Sequence, residues 1–525
     1  MKHIFRFCLV LFVLNSFGQN ELEQNKRPNV IFILSDDHAT NAITAYSNRF
    51  KEISPTPNID RIAKEGAILT NTFSTNAICG PSRASIITGK YSHENGYYKN
   101  YKGGYFNGDQ WTYPKELQKN GYKTALIGKW HLASEPQGFD YYKYHIDHGE
   151  QGVYWNPTYS VNGTKVKEKG YATNLTTDFA IEWLSNTNKE QPFCLLLQYK
   201  APHREWSPDK KYESLFAGQD MPIPNTFYDD YSGREQTAGD THMTMDYLNR
   251  RDIKLTAPDS LDEKERRKWL DFGNNPNHIA TPDANLTGRQ LQEWKFQRYI
   301  KDYLATIRSV DDNIGRVLHY LKENDLEENT IVIYASDQGF FLGEHGWFDK
   351  RWMYEESMRM PFVIKYPKLI KPNTRVEDVI ANIDIAPSIL ELTGIDIPED
   401  IQGKSFVKLL CKNESEDWRQ SMYYHYYEYP FWHHVQPHYG IRTDRFKLIH
   451  FYYDMDIWEF YDLNDDPQEL NNLIDSKDHK TIIDELKRDL YELKNEYGND
   501  LSLEELREIS DTDFGGLESS KRRKE

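Results

Sequence analysis

Cys79 begins a short motif whose residue types could hold an anion and attack it. Pro81 disfavours a helical conformation at the residue before it, and the apolar stretch after Arg83 predicts a short helix that starts at about Ser82. Cys79 would then lie at a helix N-terminus, where free N–H groups and the helix dipole favour an anion. Arg83 would add a fixed positive charge beside it. The alternative is a buried structural thiol at the end of a loop.

Polar and charged side chains directly follow four predicted strands, and the carboxyl ends of strands in an open α/β sheet are where ligands bind. These side chains are Asp36 and Asp37, Lys129 and His131, Lys200 and His203, and Asp337 and Gln338. Three carboxylates and an amide oxygen make an all-oxygen site that suits Ca²⁺ or Mg²⁺ better than Zn²⁺. For any one of the aspartates alone, a helix-capping role is the alternative.

The elements that must position these residues indicate an α/β fold. Four predicted strands are continuous apolar runs without alternation, which is typical of strands buried on both faces of a parallel sheet; they cover residues 29–35, 122–128, 193–198 and 330–336. Helical patterns lie between them, at 57–66 and 113–119 for example. We therefore predict a mixed or parallel sheet between layers of helices.

The remaining segments complete a two-part architecture. Residues 204–285 are polar, aromatic and irregular, and we expect them to form loops around the mouth of a pocket. A long amphipathic helix follows and carries Asp311 and Asp312, for which a solvated face is favoured over a metal site. Past about residue 415, alternating aromatic-rich segments predict a small antiparallel sheet, with an amphipathic helix at 480–497 packed on it.

The first 18 residues have the pattern of a secretory signal. A basic start precedes the apolar core 7–14, which is too short to span a bilayer. We therefore expect a protein that is exported to the periplasm or secreted, without stable membrane insertion. The expected units are a signal peptide at 1–18, a catalytic domain at 27–414, an α+β subdomain at 415–510 and a disordered tail at 511–525. The cysteines Cys79, Cys194 and Cys411 that remain are too few for a disulfide framework.

Charge and composition narrow the class of partner. The net charge of −17 over 525 residues argues against nucleic acid. The chain holds 36 Tyr, 25 Phe and 12 Trp, and a polar surface rich in aromatic rings suits a carbohydrate. An anionic substrate would require cations that are clustered locally at the site.

The motif Cys-x-Pro-Ser-Arg at Cys79, followed by Thr88 and Gly89, resembles the signature of type I sulfatases. The resemblance extends from about residue 27 to residue 473 and implies an alkaline-phosphatase-like fold. It also implies that a separate formylglycine-generating maturation enzyme oxidises Cys79 to 3-oxoalanine (formylglycine). The family's metal is usually one calcium ion per chain, and its ligands map onto Asp36, Asp37, Asp337, Gln338 and the modified Cys79. Many members carry Asn or His where Gln338 stands.

The resemblance assigns further roles to basic residues. The sulfate-binding and catalytic cations of the family map onto Arg83, Lys129, His131, His203 and Lys350. Lys350 is placed by a Lys-x-x-x-Tyr-Glu pattern. In the implied mechanism the hydrated aldehyde attacks sulfur in line, with Asp337 as base. His203 then protonates the leaving ester oxygen, and His131 assists the release of sulfate.

The substrate implied by the resemblance is a sulfated oligosaccharide or polysaccharide. Segments 128–132, 136–141 and 151–157 look like those of bacterial sulfatases that act on glycans. The nearest resemblance is to enzymes that remove 6-O-sulfate from N-acetylglucosamine, acting on chain ends, while ulvan-type relatives share much of the pattern. His345 and His438, in aromatic surroundings, are the candidates for the sugar subsite, and a structural role is the alternative for each.

Two other functions stay open from sequence. A phosphate or phosphonate ester hydrolase of the same superfamily is the first, although phosphatases of that group usually show Ser or Thr as nucleophile and a two-metal set. A catalytically inactive glycan-binding protein on the same scaffold is the second, and it would predict a lost nucleophile or lost carboxylates. Turnover of aryl sulfate against aryl phosphonate separates the first from a sulfatase, and a mass spectrum of the Cys79 peptide separates the second.

Overall fold

A ten-stranded mixed sheet lies at the centre of the protein. The structure is a computed structural model, and it describes residues 27–257, 259–270, 285–412 and 417–517. The expected signal peptide, the expected boundary at 414–415 and the last eight residues of the expected tail lie outside these residues. In spatial order the strands are β13 (Thr374–Val376), β2 (Ala67–Leu69), β12 (Phe362–Lys365), β9 (Thr330–Ser336), β1 (Asn29–Ser35), β8 (Phe193–Gln198), β4 (Lys123–Gly128), β5 (Tyr141–His145), β6 (Thr158–Val161) and β7 (Thr164–Lys167).

The middle of this sheet is parallel, as the continuous apolar runs predict. Val30 of β1 lies opposite Cys194 of β8 on one side and Ile331 of β9 on the other, with all three strands in the same direction. β12 and β6 run against their neighbours. All seven residues of β1 are buried, because helices cover both faces of the sheet.

Helices form a layer on each face of the sheet. One face packs against α1 (Pro57–Glu65), α5 (Ala172–Asn186) and α8 (Gly288–Glu323) through Ile31 and Ile33. The other face packs against α2 (Cys79–Thr88), α4 (Tyr113–Lys119), α10 (Ile385–Leu392) and α11 (Val407–Lys412) through the alternate residues of β1. This arrangement confirms the predicted layered α/β fold. Across the described residues, no helix has the length and apolar character that crossing a bilayer requires.

A smaller antiparallel sheet follows, as the alternating aromatic segments predict. Its strands are β15 (Ser421–Tyr426), β16 (His438–Thr443), β17 (Phe446–Phe451) and β18 (Ile457–Asp462). Helix α12 (Lys480–Glu496) packs on it through Ile483, Leu486 and Leu490. The last described helix is α13 (Leu503–Asp511), which begins with a capping box between Ser502 and Glu505.

The short elements connect these two parts. The two-stranded sheets pair β3 (Thr72–Phe73) with β14 (Ile380–Ala381) and β10 (Phe341–Leu342) with β11 (Phe348–Asp349). The short helices are α3 (Ser92–Asn95), α6 (Glu235–Ala238), α7 (Glu263–Leu270) and α9 (Glu355–Met358). Turns of 3₁₀ helix cover Thr40–Ala42, Lys210–Tyr212, Met245–Tyr247, Glu327–Asn329, Glu344–Gly346, Asn382–Asp384 and Lys477–His479.

Three expectations differ from the structure. Residues 511–517 are not a free tail, because the ring of Phe514 stacks on Tyr98 with centroids 5.9 Å apart and Gly104 N–H donates to the Gly515 carbonyl over 3.2 Å. The irregular segment after residue 204 also builds its own apolar cluster against α8, with Trp206 as a fully buried member. These contacts bury aromatic rings, and the sequence shows the rings but not their burial.

Asp311 gives the third difference, because it is buried and does not lie on a solvated face. Its carboxylate accepts hydrogen bonds of 3.0 Å from the backbone N–H groups of Asn58 and Ile59 in the first turn of α1. The residue before that helix, Thr56, provides no side-chain cap. Asp311 therefore supplies the cap from a distant helix, whereas Asp312 is partly exposed and pairs with Arg308.

Candidate active site

The carboxyl ends of the neighbouring strands β1 and β9 bring three aspartates together. Ser35 and Ser336 are paired at the strand ends, so Asp36 and Asp37 emerge beside Asp337. The N–H of Asp37 donates to a carboxylate oxygen of Asp337 over 3.2 Å. One oxygen from each aspartate lies within 4.8 Å of the other two, and all three residues are buried.

Cys79 lies beside these carboxylates at the first position of α2, so its predicted place at a helix N-terminus is confirmed. The helix starts three residues earlier than expected, and Pro81 is tolerated because it falls in the first turn. The Cys79 sulfur forms a second close group with Asp36 and His203, again with atoms within 4.8 Å. A side chain at Gly80 would place its Cβ 2.5 Å from the Asn100 side-chain oxygen, so a larger residue beside Cys79 would force its neighbours to move.

Arg83 connects α2 to the carboxylate cluster. Its Nε and Nη2 atoms lie 3.0 Å and 2.9 Å from the same oxygen of Asp337, and its Nη1 donates to Gln198 over 2.7 Å. Asp36 is 3.8 Å away. Ser82 of the same helix donates its hydroxyl proton to the Asp337 carbonyl. The helix that carries Cys79 is thereby held in register with the end of β9.

Two buried lysines add positive charge to the cluster. Lys129 Nζ bonds Asp36 and also donates to Gln151 over 2.6 Å, and Lys350 Nζ donates to Asp37 over 2.8 Å. Lys129 can take its place only because Gly128 precedes it. Gly128 has φ +115°, and a Cβ there would lie 1.8 Å from the Gln198 carbonyl oxygen.

Two histidines also lie beside the carboxylates, together with Arg83 and the two lysines. His203 Nδ1 lies 2.6 Å from the Arg204 carbonyl, and since a carbonyl only accepts, this nitrogen carries the proton and Nε2 faces the site, 3.8 Å from Asp37. His131 Nε2 lies 2.8 Å from the side-chain amide nitrogen of Gln151. Burial lowers the pKa of both rings well below the usual value, so both are neutral in the free site.

Burial and neighbouring charges shift the pKa values of the three carboxyl groups. Burial raises the pKa of Asp37 to about 6, and burial followed by the charge of Asp36 raises the pKa of Asp337 well above its usual range. Burial also opposes ionisation of Asp36, but the positive charges of Lys129 and Arg83 outweigh it and hold its pKa low. A divalent cation would relieve this crowding.

The donor set fits a hard cation. Among the described residues, the side-chain oxygens Asp36 Oδ1 and Gln338 Oε1 are buried without a hydrogen-bond partner. Burying such oxygens without a partner is costly, and calcium is coordinated by carboxylate and amide oxygens of this kind. The amide nitrogen of Gln338 meanwhile donates to Asp37, which orients the free oxygen.

Some groups at the site have no clear signal in the sequence. Gln151 links Lys129 to His131, yet a glutamine in a loop has no chemical pattern of its own. Arg204 donates to Asp252 over 2.5 Å and lies 3.4 Å from Asp349, whose neighbour Lys350 enters the cluster. These residues are far apart in the chain, and only the folded protein brings them together.

His345 and His438 do not join this site, which corrects their expected role in sugar binding. Both are fully buried. His438 uses Nε2 to accept from the Met353 N–H over 3.0 Å and has Nδ1 2.7 Å from the Gln436 carbonyl, so neither nitrogen is open to a sugar. His345 Nδ1 lies 2.7 Å from Asp229, and its ring packs among aromatic side chains. Their burial favours the structural alternative for both histidines.

Comparison with known proteins identifies the family. The family model described as Sulfatase matches residues 28–395. The chain belongs to the sulfatase family. The model described as N-sulphoglucosamine sulphohydrolase, C-terminal, matches residues 343–496. Membership makes this protein a sulfuric ester hydrolase. The family typically uses a metal ion, for which the cluster of Asp36, Asp37 and Asp337 offers possible ligands.

Relatives of this sulfatase resemble it over nearly their full length. An N-acetylglucosamine-6-O-sulfatase of Bacteroides thetaiotaomicron is 45% identical, with 92% of this chain and 89% of the relative covered. An ulvan-active sulfatase of Formosa agariphila is 26% identical, with 91% and 83% covered. A solved protein in complex with its substrate D-glucosamine-2-N,6-O-disulfate is 44% identical and superposes with a TM-score of 0.84. The match covers 91% of this chain and 100% of the solved one.

Proposed function

We propose that this sulfatase removes the 6-O-sulfate group from a glucosamine-type residue, N-acetylated or N-sulfated, at the end of a glycan chain. The observation that carries the proposal is 45% identity, over 92% of the chain, to an N-acetylglucosamine-6-O-sulfatase. The substrate of the similar solved protein, D-glucosamine-2-N,6-O-disulfate, supports the same sugar and the same sulfate position.

The proposed cofactors are one calcium ion and a formylglycine made from Cys79 by a maturation enzyme. Asp36, Asp37, Asp337 and Gln338 would hold the calcium, together with the modified residue at 79. When present, the ion polarises sulfuryl oxygens and the hydrated aldehyde supplies the nucleophile. Burial, followed by the charge of Asp36, raises the pKa of the Cys79 thiol well above its usual value. The unmodified side chain is therefore a poor nucleophile in its own right.

The basic residues would bind the sulfate group and stabilise its charge. Lys129 and Lys350 both act electrostatically on position 79, and each is buried, where a fixed charge interacts more strongly than in water. The guanidinium group of Arg83 bonds both Asp337 and Gln198, which fixes its position. These cations resolve the apparent conflict between a net charge of −17 and an anionic substrate.

The two histidines would move protons at two different steps of the reaction. His203 holds its Nδ1 proton against the Arg204 carbonyl, so Nε2 is the atom that can carry a proton to the leaving sugar oxygen. A bound sulfate ester would bring negative charge and favour protonation there. His131 accepts from Gln151 at Nε2, which places its remaining proton at Nδ1 and suits it to assist sulfate release.

Export forms the last part of the proposal. The basic start and short apolar core of residues 1–18 suggest a cleaved secretory signal. A glycan-degrading enzyme would meet its polymeric substrate outside the cytoplasm.

A panel of defined sulfated sugars tests the proposal. Purified mature enzyme is assayed for sulfate release from 6-O-sulfated N-acetylglucosamine, D-glucosamine-2-N,6-O-disulfate, 2-O-sulfated disaccharides and ulvan oligosaccharides, with an aryl phosphonate as a further arm. Release from the first two and little from the others supports the proposal. Preferred turnover of ulvan, of 2-O-sulfate or of the phosphonate refutes it. Cys79→Ala measures the background.

A further inference from the structure

Two histidines and an aspartate come together on the surface, outside the catalytic centre. They are Asp240 and His242, which follow α6, and His434, which lies in the loop between β15 and β16. One ligand atom from each lies within 4.8 Å of the other two. The rings of His242 and His434 stack with centroids 4.1 Å apart, and His434 Nδ1 lies 3.4 Å from Asp240. We propose that Asp240, His242 and His434 form a binding site for zinc or a similar transition-metal dication.

The ligand types determine the class of ion. Imidazole nitrogens prefer zinc, copper or nickel over calcium, which prefers oxygen alone. Three protein ligands with open positions for water make a common zinc arrangement. This site therefore differs in chemistry from the all-oxygen cluster at Asp36, Asp37 and Asp337, and the two should select different metals from one solution.

The three side chains must rotate to close around an ion. Ligand atoms around a tetrahedral zinc ion at about 2.1 Å are separated from each other by roughly 3.4 Å. The side chains of His434 and Asp240 are 35% and 78% exposed, so both can rotate by the remaining distance.

The backbone already holds the ligands in place. His433, next to His434, accepts at its carbonyl from the N–H of His242 over 2.7 Å and from the hydroxyl of Thr241 over 3.1 Å. The ring of Tyr247 stacks on His242 with centroids 4.3 Å apart. The two segments that supply the ligands are therefore joined before any ion binds, which reduces the entropy cost of binding.

An ion here would strengthen a connection that ends at the catalytic centre. His433 Nε2 lies 3.0 Å from Asp349, and Asp349 lies 3.5 Å from the ammonium group of Lys350. The metal would fasten the β15–β16 loop of the C-terminal sheet to the segment after α6. We therefore expect bound zinc to raise the unfolding temperature.

Zinc titration of the calcium-saturated, untagged enzyme tests the site. Calorimetry with Zn²⁺ alone should show one tight equivalent in the wild type and in His319→Ala, a control that removes an exposed histidine on α8. His242→Ala, His434→Ala and the milder Asp240→Asn should each bind that equivalent at least about tenfold more weakly. Changing groups that merely orient a metal ligand already costs about 10- to 100-fold.

Two outcomes would overturn the site. Equal zinc affinity in the wild type and all three ligand variants places the ion elsewhere. A zinc-soaked crystal whose anomalous signal lies away from the three side chains does the same. A peak between them, together with a zinc-dependent rise in unfolding temperature that Asp240→Asn reduces and His319→Ala retains, supports the site.

Discussion

Gln151 provides a direct test of how the proposed catalytic cations are positioned. Its side-chain oxygen accepts from Lys129 over 2.6 Å and its amide nitrogen lies 2.8 Å from His131 Nε2. The change Gln151→Met removes both hydrogen bonds and keeps the length of the side chain. Lys129 would keep its bond to Asp36 but lose the partner that directs its ammonium group.

The expected loss follows from the charged hydrogen bond. A hydrogen bond to a charged group contributes about 1.5–3 kcal/mol. If all of it serves transition-state binding, kcat/KM falls by about 10- to 150-fold, at about 1.4 kcal/mol for each factor of ten. Lys129 would then bind the sulfate group less well, which should raise KM. A misplaced His131 should lower kcat, so both constants are expected to change.

Sulfate release from 6-O-sulfated N-acetylglucosamine, followed over a range of substrate concentrations, measures both constants. Gln137→Met is the matched control, because Gln137 is exposed and bonds only the surface residue Asp109 among the described contacts. Thermal unfolding shows whether each variant is folded. A folded Gln151→Met enzyme with the kcat and KM of the wild type would refute the positioning role.

Three further changes address the nucleophile, a cation and stability. Cys79→Ser, made in a host whose maturation machinery accepts only cysteine, should be folded and inactive by sulfate release; full turnover would exclude the formylglycine mechanism. Lys350→Met should lower kcat by about 100- to 1,000-fold, since it removes one fixed charge from the transition state; an unchanged kcat in a folded variant would contradict this role. Burial opposes ionisation of Asp229, but hydrogen bonds from His345 and Arg234 outweigh it and lower its pKa to about 2. Its carboxylate therefore stabilises the fold above about pH 4 and loses that effect as the pH falls toward about 2, so the urea midpoints of wild type and Asp229→Asn should converge in acid. The exposed Asp230→Asn variant is the matched control. A gap between wild type and Asp229→Asn that widens in acid would show the sign to be wrong.

Local patterns in the sequence were sufficient for the central strands of the main sheet and for much of the candidate site. Apolar runs identify β1, β8 and β9 because a strand covered on both faces needs apolar side chains at every position. The carboxyl ends of parallel strands share one edge, so the convergence of Asp36 and Asp37 with Asp337 could be predicted once the strands were recognised. Cys79 was identified by its motif, whose Pro81 and Arg83 occupy local positions that need no tertiary information.

Contacts between distant parts of the chain decided the roles of the remaining residues. The sequence makes His203 a candidate for catalysis and His438 a candidate for the sugar subsite. In the structure both nitrogens of His438 lie in backbone hydrogen bonds, whereas Nε2 of His203 faces the carboxylates. Asp311 similarly caps a helix more than two hundred residues away. Gln151 meets Lys129 only because its loop returns to the sheet edge. Such contacts depend on where distant segments meet, and the free energy of each is set by burial and partners that no local pattern records.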